Sequence, residues 1–292
     1  MFADVAVLVP ALSPVLAPVF DAAVLPLIAA GLGVGLVVGL TGVGGGSLMT
    51  PILIFFFGVP VHLAVGTDLL FAAFTRLGGT VNLARTRQVD WPIAGWLALG
   101  SLPTALAVLV WLRHTGPALV PTQALMGAFL GLALLLTAAA TLATALRSGR
   151  VPDQSAAPQT STTALARPRH WLLPVLLGAI IGALVSVSSV GAGAIGVAVL
   201  MLLYPLLPLP RIASADVAHA VPLTLVAGLG HAAIGSVDWL LLGKLLAGSL
   251  PGIWLGLLLV KQMPQWLRAF LPWLRIALAV LLAGAGLVML LR

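Results

Sequence analysis

Two glycine-rich stretches carry the residues whose types and spacing best suit binding chemistry. The first is Thr-Gly-Val-Gly-Gly-Gly-Ser at 41–47, and the second is Ser-Ser-Val-Gly-Ala-Gly at 188–193. Glycine has no side chain to keep a ligand away from the backbone N–H groups. Each stretch directly precedes a short apolar segment, and a helix N-terminus offers free N–H donors and the positive end of the helix dipole. Two such ends near the middle of a membrane would form a site for a small anion.

Small residues also let helices pack closely, which is the alternative role for these glycines. We assign Gly31, Gly35 and Gly39, at four-residue spacing, to packing. For the glycine stretches themselves we favour substrate binding. The predicted substrate-binding residues are Thr41, Gly44, Gly45, Gly46, Ser47, Thr67, Arg76, Ser188, Ser189, Gly191 and Gly193.

Ionisable residues inside apolar segments are the second source of chemistry. Each costs roughly 2.5–3.5 kcal/mol at a helix centre on insertion scales, so such residues usually have a function. Arg76 lies near the middle of its segment, where its guanidinium could bind an oxyanion or pair with Asp68 or Asp216. Imidazole titrates near neutral pH and could relay a proton. We predict a proton-coupling or gating role for Asp68, Asp216, His219 and His231. A buried structural histidine is the alternative for both histidines, and for His231 we favour it.

Catalytic and metal-binding chemistry has little support in this sequence. The chain contains no cysteine, so it offers no disulfide, thiolate nucleophile or thiolate metal ligand. Asp216 and His219 are the only close pairing of a histidine with a carboxylate, which is too few ligands for a metal site. No serine nucleophile motif is present. We therefore expect a protein with no catalytic residues, no metal and no cofactor, rather than an enzyme.

The elements that position these residues are membrane-spanning helices. Of the 292 residues, 61% are hydrophobic and 7% are charged, whereas soluble domains average about 25% charged residues. Several apolar stretches approach the roughly 20 residues that cross the hydrocarbon core as a helix. They are apolar on all sides, unlike the alternating strands of a membrane barrel. The net charge of +7 is scattered between these stretches, so it indicates topology rather than nucleic-acid binding.

Ten apolar segments divide into two halves of five. The first five are 22–41, 47–57, 63–84, 91–112 and 120–146, and the second five are 171–187, 194–204, 213–234, 239–260 and 271–291. Segments 47–57 and 194–204 span only half a membrane at about 1.5 Å per residue, so we predict short broken or re-entrant helices. The predicted domains are a peripheral segment at 1–21, a first membrane repeat at 22–146, a linker at 147–170 and a second membrane repeat at 171–292.

The two halves are related by an internal repeat. Val-Asp-Trp at 89–91 recurs at 237–239, and Gly-Ser-Leu-Pro at 100–103 recurs at 248–251, both 148 positions apart. Asp68 and Asp216 share that separation. Upstream of a one-residue insertion the separation is 147 positions. The repeat predicts that both halves fold in the same way.

The distribution of basic residues predicts that the second half is inverted. Nine of the fourteen Lys and Arg residues face the cytoplasm if the connections after the third, fifth, seventh and ninth segments lie there. This placement requires an odd number of crossings in each half and puts both termini outside. Inverted repeats are a recurrent architecture of secondary transporters. We expect a multi-pass protein of the bacterial cytoplasmic (inner) membrane with a cytoplasmic linker.

Several motifs also resemble a known family. Gly-Val-Gly-Gly-Gly-Ser at 42–47, Pro51, Ala-Val-Gly-Thr at 64–67 and Val-Asp at 89–90 resemble the sulfite exporter TauE/SafE family, and the likeness covers nearly the whole chain from about Leu25. Members of that family are membrane permeases for sulfite, sulfonates and related small anions. The resemblance implies transport of a sulfur-containing anion. The common family pattern has Ser where this chain has Asp68.

The predicted function is a secondary transporter of a small sulfur-containing oxyanion, by alternating access between two inverted repeats. An anion channel with the same pore chemistry is one alternative, and a proton or metal-cation transporter that uses Asp68 and Asp216 is another. The expected partners are the small anion and membrane lipid, without nucleic acid. Helix faces rich in small residues serve packing within one chain and between copies equally, so a homo-oligomer stays an open alternative to a monomer.

Overall fold

The computed structural model describes residues 24–41, 46–85, 89–148, 172–205, 207–264 and 270–291. Within these ranges the chain forms α-helices and no strand. In chain order the helices are α1 (Val24–Thr41), α2 (Gly46–Phe57), α3 (Val61–Arg85), α4 (Trp91–Thr115), α5 (Val120–Ser148), α6 (Leu172–Ser188), α7 (Ala194–Leu203), α8 (Leu209–Ala233), α9 (Trp239–Gln262) and α10 (Leu271–Leu291).

Six of these helices are long and apolar enough to cross a membrane, namely α1, α4, α5, α8, α9 and α10. Large apolar side chains such as Phe56, Leu240 and Val280 point outward and would contact lipid. In a soluble protein such a surface would be exposed to water at a high cost in free energy. The all-α membrane architecture predicted from composition is therefore confirmed.

Each predicted apolar segment corresponds to one helix. The last helix has the predicted bounds, and α4 begins at the predicted Trp91 but continues to Thr115. The largest difference is at α8, which begins at Leu209 rather than at 213. Pro208 is its N-cap and a proline follows in the first turn, where the missing N–H breaks no helical hydrogen bond. The two predicted short helices are α2, with 12 residues, and α7, with 10 residues.

Three predicted features lie wholly or partly outside the described residues. They are the peripheral segment at 1–21, the glycines Gly44 and Gly45, and the linker at 147–170 from residue 149 onward. The first two residues of that linker, 147 and 148, belong to the last turn of α5.

Helices pair reciprocally between the two halves. Helix α1 packs on α9 and α6 packs on α4, so the first helix of each half contacts the fourth helix of the other. Equivalent helices also meet each other, because α3 packs on α8 and α5 packs on α10. One large apolar cluster includes Val34 of α1, Met49 of α2, Phe71 of α3, Leu134 of α5 and Leu245 of α9. The two halves therefore share one core.

Glycines bring α1 and α9 into backbone contact. A Cβ added to Gly31 would meet the backbone of Leu245, and one added to Gly35 would meet the backbone of Ser249. Later residues of α1 contact later residues of α9, so the two helices run parallel. Gly39 continues the same seam, which confirms that these three glycines serve packing.

The equivalent helices α3 and α8 run antiparallel. Gly66 of α3 approaches His231 of α8, whereas Leu70, one turn further along α3, contacts Gly228, which comes earlier in α8. The same comparison holds for α5 and α10, where Gly127 faces Met289 and Leu134 faces Gly286. This packing brings the middle of α3 against the middle of α8, where most of the intramembrane ionisable residues lie.

Candidate functional site

The loop between α6 and α7 forms the centre of the candidate site. Ser189 has a φ angle of 61°, Gly191 of 122° and Gly193 of 117°. Side chains rarely tolerate such positive angles, so the two glycines allow the chain to turn sharply here. Gly193 is the N-cap of α7. The second glycine stretch therefore places the N-terminus of a short helix at this loop, as predicted.

Asp68 of α3 is fully buried and connects the two halves. Its Oδ2 accepts a hydrogen bond from the hydroxyl of Thr50 on α2. The same oxygen accepts a second hydrogen bond from Ser189 Oγ, at 2.9 Å, in the second half of the chain. Its Oδ1 has no partner within the described ranges. Thr50, a hydroxyl in an otherwise apolar segment, was not among the predicted site residues.

Arg76, two turns further along α3, reaches the same loop. Its Nη2 donates to the carbonyl oxygen of Ala192 at 2.7 Å. Its Nη1 is buried and has no hydrogen-bond partner in the part of the chain that the structure describes. The guanidinium charge lies within electrostatic reach of Asp216 and Asp68. Arg76 therefore binds backbone with one nitrogen and holds the other buried without a partner among the described residues.

Asp216 of α8 is the repeat counterpart of Asp68, but its surroundings differ. The side chain is fully buried, and neither oxygen has hydrogen-bond geometry with a described residue, although the backbone N–H of Gly193 lies nearby. A Cβ added to Gly196 would clash with Asp216 Oδ1. Gly196 thus makes room for a carboxylate that is directed at the first turn of α7.

The two predicted histidines have different environments. His219 Nε2 is 2.8 Å from Ser101 Oγ of α4, and its Nδ1 is buried with no partner among the described residues. The positive charge of Arg76 also lies within electrostatic reach of the His219 imidazole. His231 Nε2 donates to the carbonyl oxygen of Ser186 at 2.9 Å, because a carbonyl can only accept. The structure therefore brings His219 into the site and gives His231 the interhelical bond that a structural role requires.

Two predicted hydroxyls close the ends of their own helices. Thr41 Oγ1 donates to the carbonyl oxygen of Val37 at 2.7 Å, and Ser188 Oγ donates to that of Leu184 at 2.6 Å. Serine and threonine often bond in this way to the preceding turn of a helix. Both residues border a glycine stretch, and each of these bonds ties the hydroxyl to the last turn of its own helix.

The other predicted residues lie on α2 and α3. Gly46 begins α2, and Ser47 is buried in its first turn. Thr67 Oγ1 accepts a hydrogen bond of 3.0 Å from the backbone N–H of Asp238, which connects α3 to the start of α9. Thr67 directly precedes Asp68 in the chain, but its side chain bonds to the start of α9.

Arg275 of α10 is a residue that the sequence analysis missed. Its Nη2 donates to the carbonyl oxygen of Thr41 at 3.0 Å, and its Nε is buried without a partner in the described ranges. Thr41 directly precedes the first glycine stretch. Each stretch therefore has an arginine from the opposite half nearby: Arg275 for the first, and Arg76 for the second. In the sequence, Arg275 could have been found as an arginine within an apolar segment.

The side chains and backbone groups of the candidate site can bind an anion and exchange a proton. A guanidinium and the N-terminus of α7 can bind a small anion, and two carboxylates and an imidazole beside them can exchange a proton. No group of three or more His, Asp or Glu residues that could hold a metal ion occurs in the ranges that the structure describes.

Comparisons with known proteins agree with this architecture. The family model described as "Sulfite exporter TauE/SafE" matches residues 27–289. The probable membrane transporter protein YjnA of Bacillus subtilis is 32% identical over 240 residues, which cover 79% of this chain and 87% of YjnA. The probable membrane transporter protein YdhB of the same organism is 26% identical over 235 residues, or 79% and 88% of the two chains. No solved structure matches the chain. Because the family model spans both halves, the chain belongs to the sulfite exporter TauE/SafE family of membrane transporters.

Proposed function

We propose that this protein is a secondary transporter of a small sulfur-containing oxyanion, such as sulfite or an organosulfonate. The observation that carries the proposal is the buried Nη1 of Arg76, which has no partner among the described residues while Nη2 donates to the carbonyl oxygen of Ala192. A buried donor without a partner costs about 1–3 kcal/mol, and more if it is charged. An oxyanion would satisfy this nitrogen with a short, charge-assisted hydrogen bond.

The loop before α7 completes the proposed anion site. Gly191 and Gly193 present backbone without side chains, and Gly193 caps the N-terminus of α7. The N-terminus of α7 has the positive end of the helix dipole, which favours negative charge. The sulfur-containing class of the substrate is supported by the description of the matching family model. The names of the relatives YjnA and YdhB specify no substrate.

Helix directions support alternating access between inverted repeats. If each helix crosses once, five crossings per half make equivalent helices antiparallel, as α3 and α8 are. The same count makes the first helix of one half parallel to the fourth helix of the other, as α1 and α9 are. Two halves of opposite orientation around one site can exchange roles and open that site to either side in turn.

A binding screen on the purified protein tests the proposed substrate class. We expect at least one of sulfite, sulfate, thiosulfate, sulfoacetate and taurine to raise the unfolding temperature, while chloride at equal ionic strength does not. A ligand at 100 times its Kd stabilises the folded state by about 2.7 kcal/mol. Saturable uptake of that anion into proteoliposomes would then distinguish a transporter from an anion channel.

A cation transporter is the second candidate, because Asp68 and Asp216 both bury carboxylate oxygens without partners in the described part of the chain. The same screen therefore includes Mn²⁺, Zn²⁺ and Ca²⁺. Stabilisation by a divalent cation, together with no effect of any sulfur oxyanion, would contradict the anion proposal and support this candidate.

We further propose that the protein lies in the bacterial inner membrane with linker 147–170 in the cytoplasm. The natural chain has no cysteine, so single cysteines report topology directly. In intact cells, we expect a membrane-impermeant maleimide to label Ala118→Cys, in the exposed turn between α4 and α5. Ser155→Cys in the linker should react only after lysis. The reverse pattern would contradict the proposed orientation, and labelling of both positions from one side would contradict five crossings per half.

A further inference from the structure

The two equivalent carboxylates differ in their hydrogen bonds. Asp68 accepts from the hydroxyls of Thr50 and Ser189, whereas Asp216 has no side-chain donor among the described residues and only the backbone N–H of Gly193 nearby. The sequence explains part of the difference, because Val197 lies 147 positions after Thr50 and has no side-chain donor. Asp68 thus has hydrogen-bond partners of its own. The charge of Asp216 must instead be compensated by a neighbouring positive charge or removed by a proton.

Few charged or titratable groups face Asp216. Helix α3 contributes Arg76, with Asp68 two turns away on the same helix, and α8 itself contributes His219. Helix α7 contributes backbone, at Gly193 and Gly196, and the facing side chain of α4 is Ser101, bonded to His219. Helix α6 has no ionisable side chain. Among the described residues, Arg76 is therefore the permanently charged positive side chain that can compensate an ionised Asp216, which an apolar membrane interior would otherwise strongly disfavour.

Arg76 cannot compensate Asp216 and a bound anion at once. In the empty site its single positive charge offsets the Asp216 carboxylate through space. An oxyanion that binds Nη1 pairs with the positive charge of the guanidinium. It also places a second negative charge beside the Asp216 carboxylate. If Asp216 binds a proton from solution on a carboxylate oxygen, the net charge of the site returns to its value before a monovalent anion entered. For a monovalent sulfonate, one negative charge and one positive charge then enter the site together.

From this geometry we infer that oxyanion binding is coupled to the uptake of one proton by Asp216, so that anion and proton move together. The inference rests on the proposed function, because it requires an anion at Arg76. It gives the repeat-related carboxylates different roles: Asp216 is the coupling group, and Asp68 is a hydrogen-bonded link between the halves. Coupling of this kind is reciprocal, so a lower pH must also strengthen anion binding.

The test measures proton uptake by calorimetry with isethionate as the probe. This sulfonate stays ionised throughout the working pH range, so any proton taken up binds to the protein. Titrations at one pH, in buffers of different ionisation enthalpy, should give an uptake approaching one proton per bound isethionate. Over a pH series, affinity should fall by up to about tenfold per pH unit as pH rises, the limit for one linked proton.

Two neutral variants identify the group that takes up the proton. Asp216→Asn keeps the shape of the side chain, and Asp216→Ser provides a second choice that fits beside Gly196 if the first does not fold. Both should bind isethionate without proton uptake and with an affinity that no longer depends on pH. The matched control is Asp90→Asn, at the N-cap of α4, which should behave as the natural protein.

The outcomes separate the inference from the proposed function. Isethionate binding without proton uptake by the natural protein would overturn the inference alone. Undiminished uptake in a folded Asp216→Asn or Asp216→Ser variant would also overturn it. If the natural protein binds neither isethionate nor sulfite nor sulfate, the proposed function fails and the inference fails with it.

Discussion

Replacement of Arg76 by alanine is expected to lower the affinity for the transported oxyanion roughly 100-fold and to abolish its transport. Truncation of one partner in a buried, hydrogen-bonded charge pair costs about 2–5 kcal/mol, and roughly 2.7 kcal/mol corresponds to 100-fold. The variant would lose the Nη1 donor, which has no partner in the described ranges, together with the positive charge. Calorimetry on the purified variant and uptake into proteoliposomes measure the two effects.

Arg76→Lys separates charge from geometry. Lysine keeps the positive charge but cannot hold Ala192 with one nitrogen and an anion with another in the planar fork of arginine. We expect an affinity between those of the natural protein and Arg76→Ala, with measurable transport.

Arg113→Ala is the matched control, because Arg113 is exposed in the last turn of α4. It should leave affinity unchanged. The opposite pattern would change our interpretation: if Arg76→Ala binds the anion normally but unfolds at a lower temperature, Arg76 only attaches α3 to the loop. The glycine stretches alone would then bind the anion.

The substitution Gly35→Leu is expected to prevent accumulation of folded protein. Even a Cβ at this position would overlap the backbone of Ser249, which no change of rotamer can move. Helices α1 and α9 would have to separate along their glycine seam, with loss of dispersion contacts over several turns. Extra methylenes in a packed interior commonly cost about 1–3 kcal/mol. Here Cβ, the first atom of the leucine side chain, already overlaps the backbone of Ser249.

Gly33→Leu provides a control on the same helix. Gly33 is exposed, and an added Cβ would have no neighbour within 4 Å among the described residues, so the leucine would face lipid. The monodisperse peak in detergent size-exclusion chromatography and the thermal unfolding midpoint should match the natural protein for Gly33→Leu and be lost for Gly35→Leu. Equal behaviour of the two variants would mean that α1 and α9 can separate without loss of the fold.

Much of the helical architecture follows from local sequence. Segment 271–291 and α10 have the same bounds, because an uninterrupted apolar stretch satisfies its backbone only as a helix in lipid. The four-residue spacing of Gly31, Gly35 and Gly39 correctly predicted a packing seam, although it did not name α9 as the partner. The repeat predicts Asp68 and Asp216 as equivalent positions, but equivalence in sequence did not predict equal surroundings.

The intramembrane ionisable residues show where local information ends. Arg76 was a candidate for substrate binding and for pairing with a carboxylate, and its observed hydrogen bond is to a backbone carbonyl instead. Arg275 lies within an apolar segment of ordinary appearance, yet it bonds to the residue that precedes the first glycine stretch. Neither partner could be found from spacing, because neither lies on the same helix.

By itself, the sequence determined that the chain is a helical membrane protein with two related halves, and it determined the family to which the chain belongs. These properties depend on composition, segment length and motifs, which are local. The tertiary structure alone decided which groups meet: Arg76 bonds across 116 positions, and Ser189 donates to Asp68 across 121. It also decided that Asp68 has partners while Asp216 has none within the described residues. Such contacts depend on how whole helix faces fit together, and that fit is a property of both halves at once.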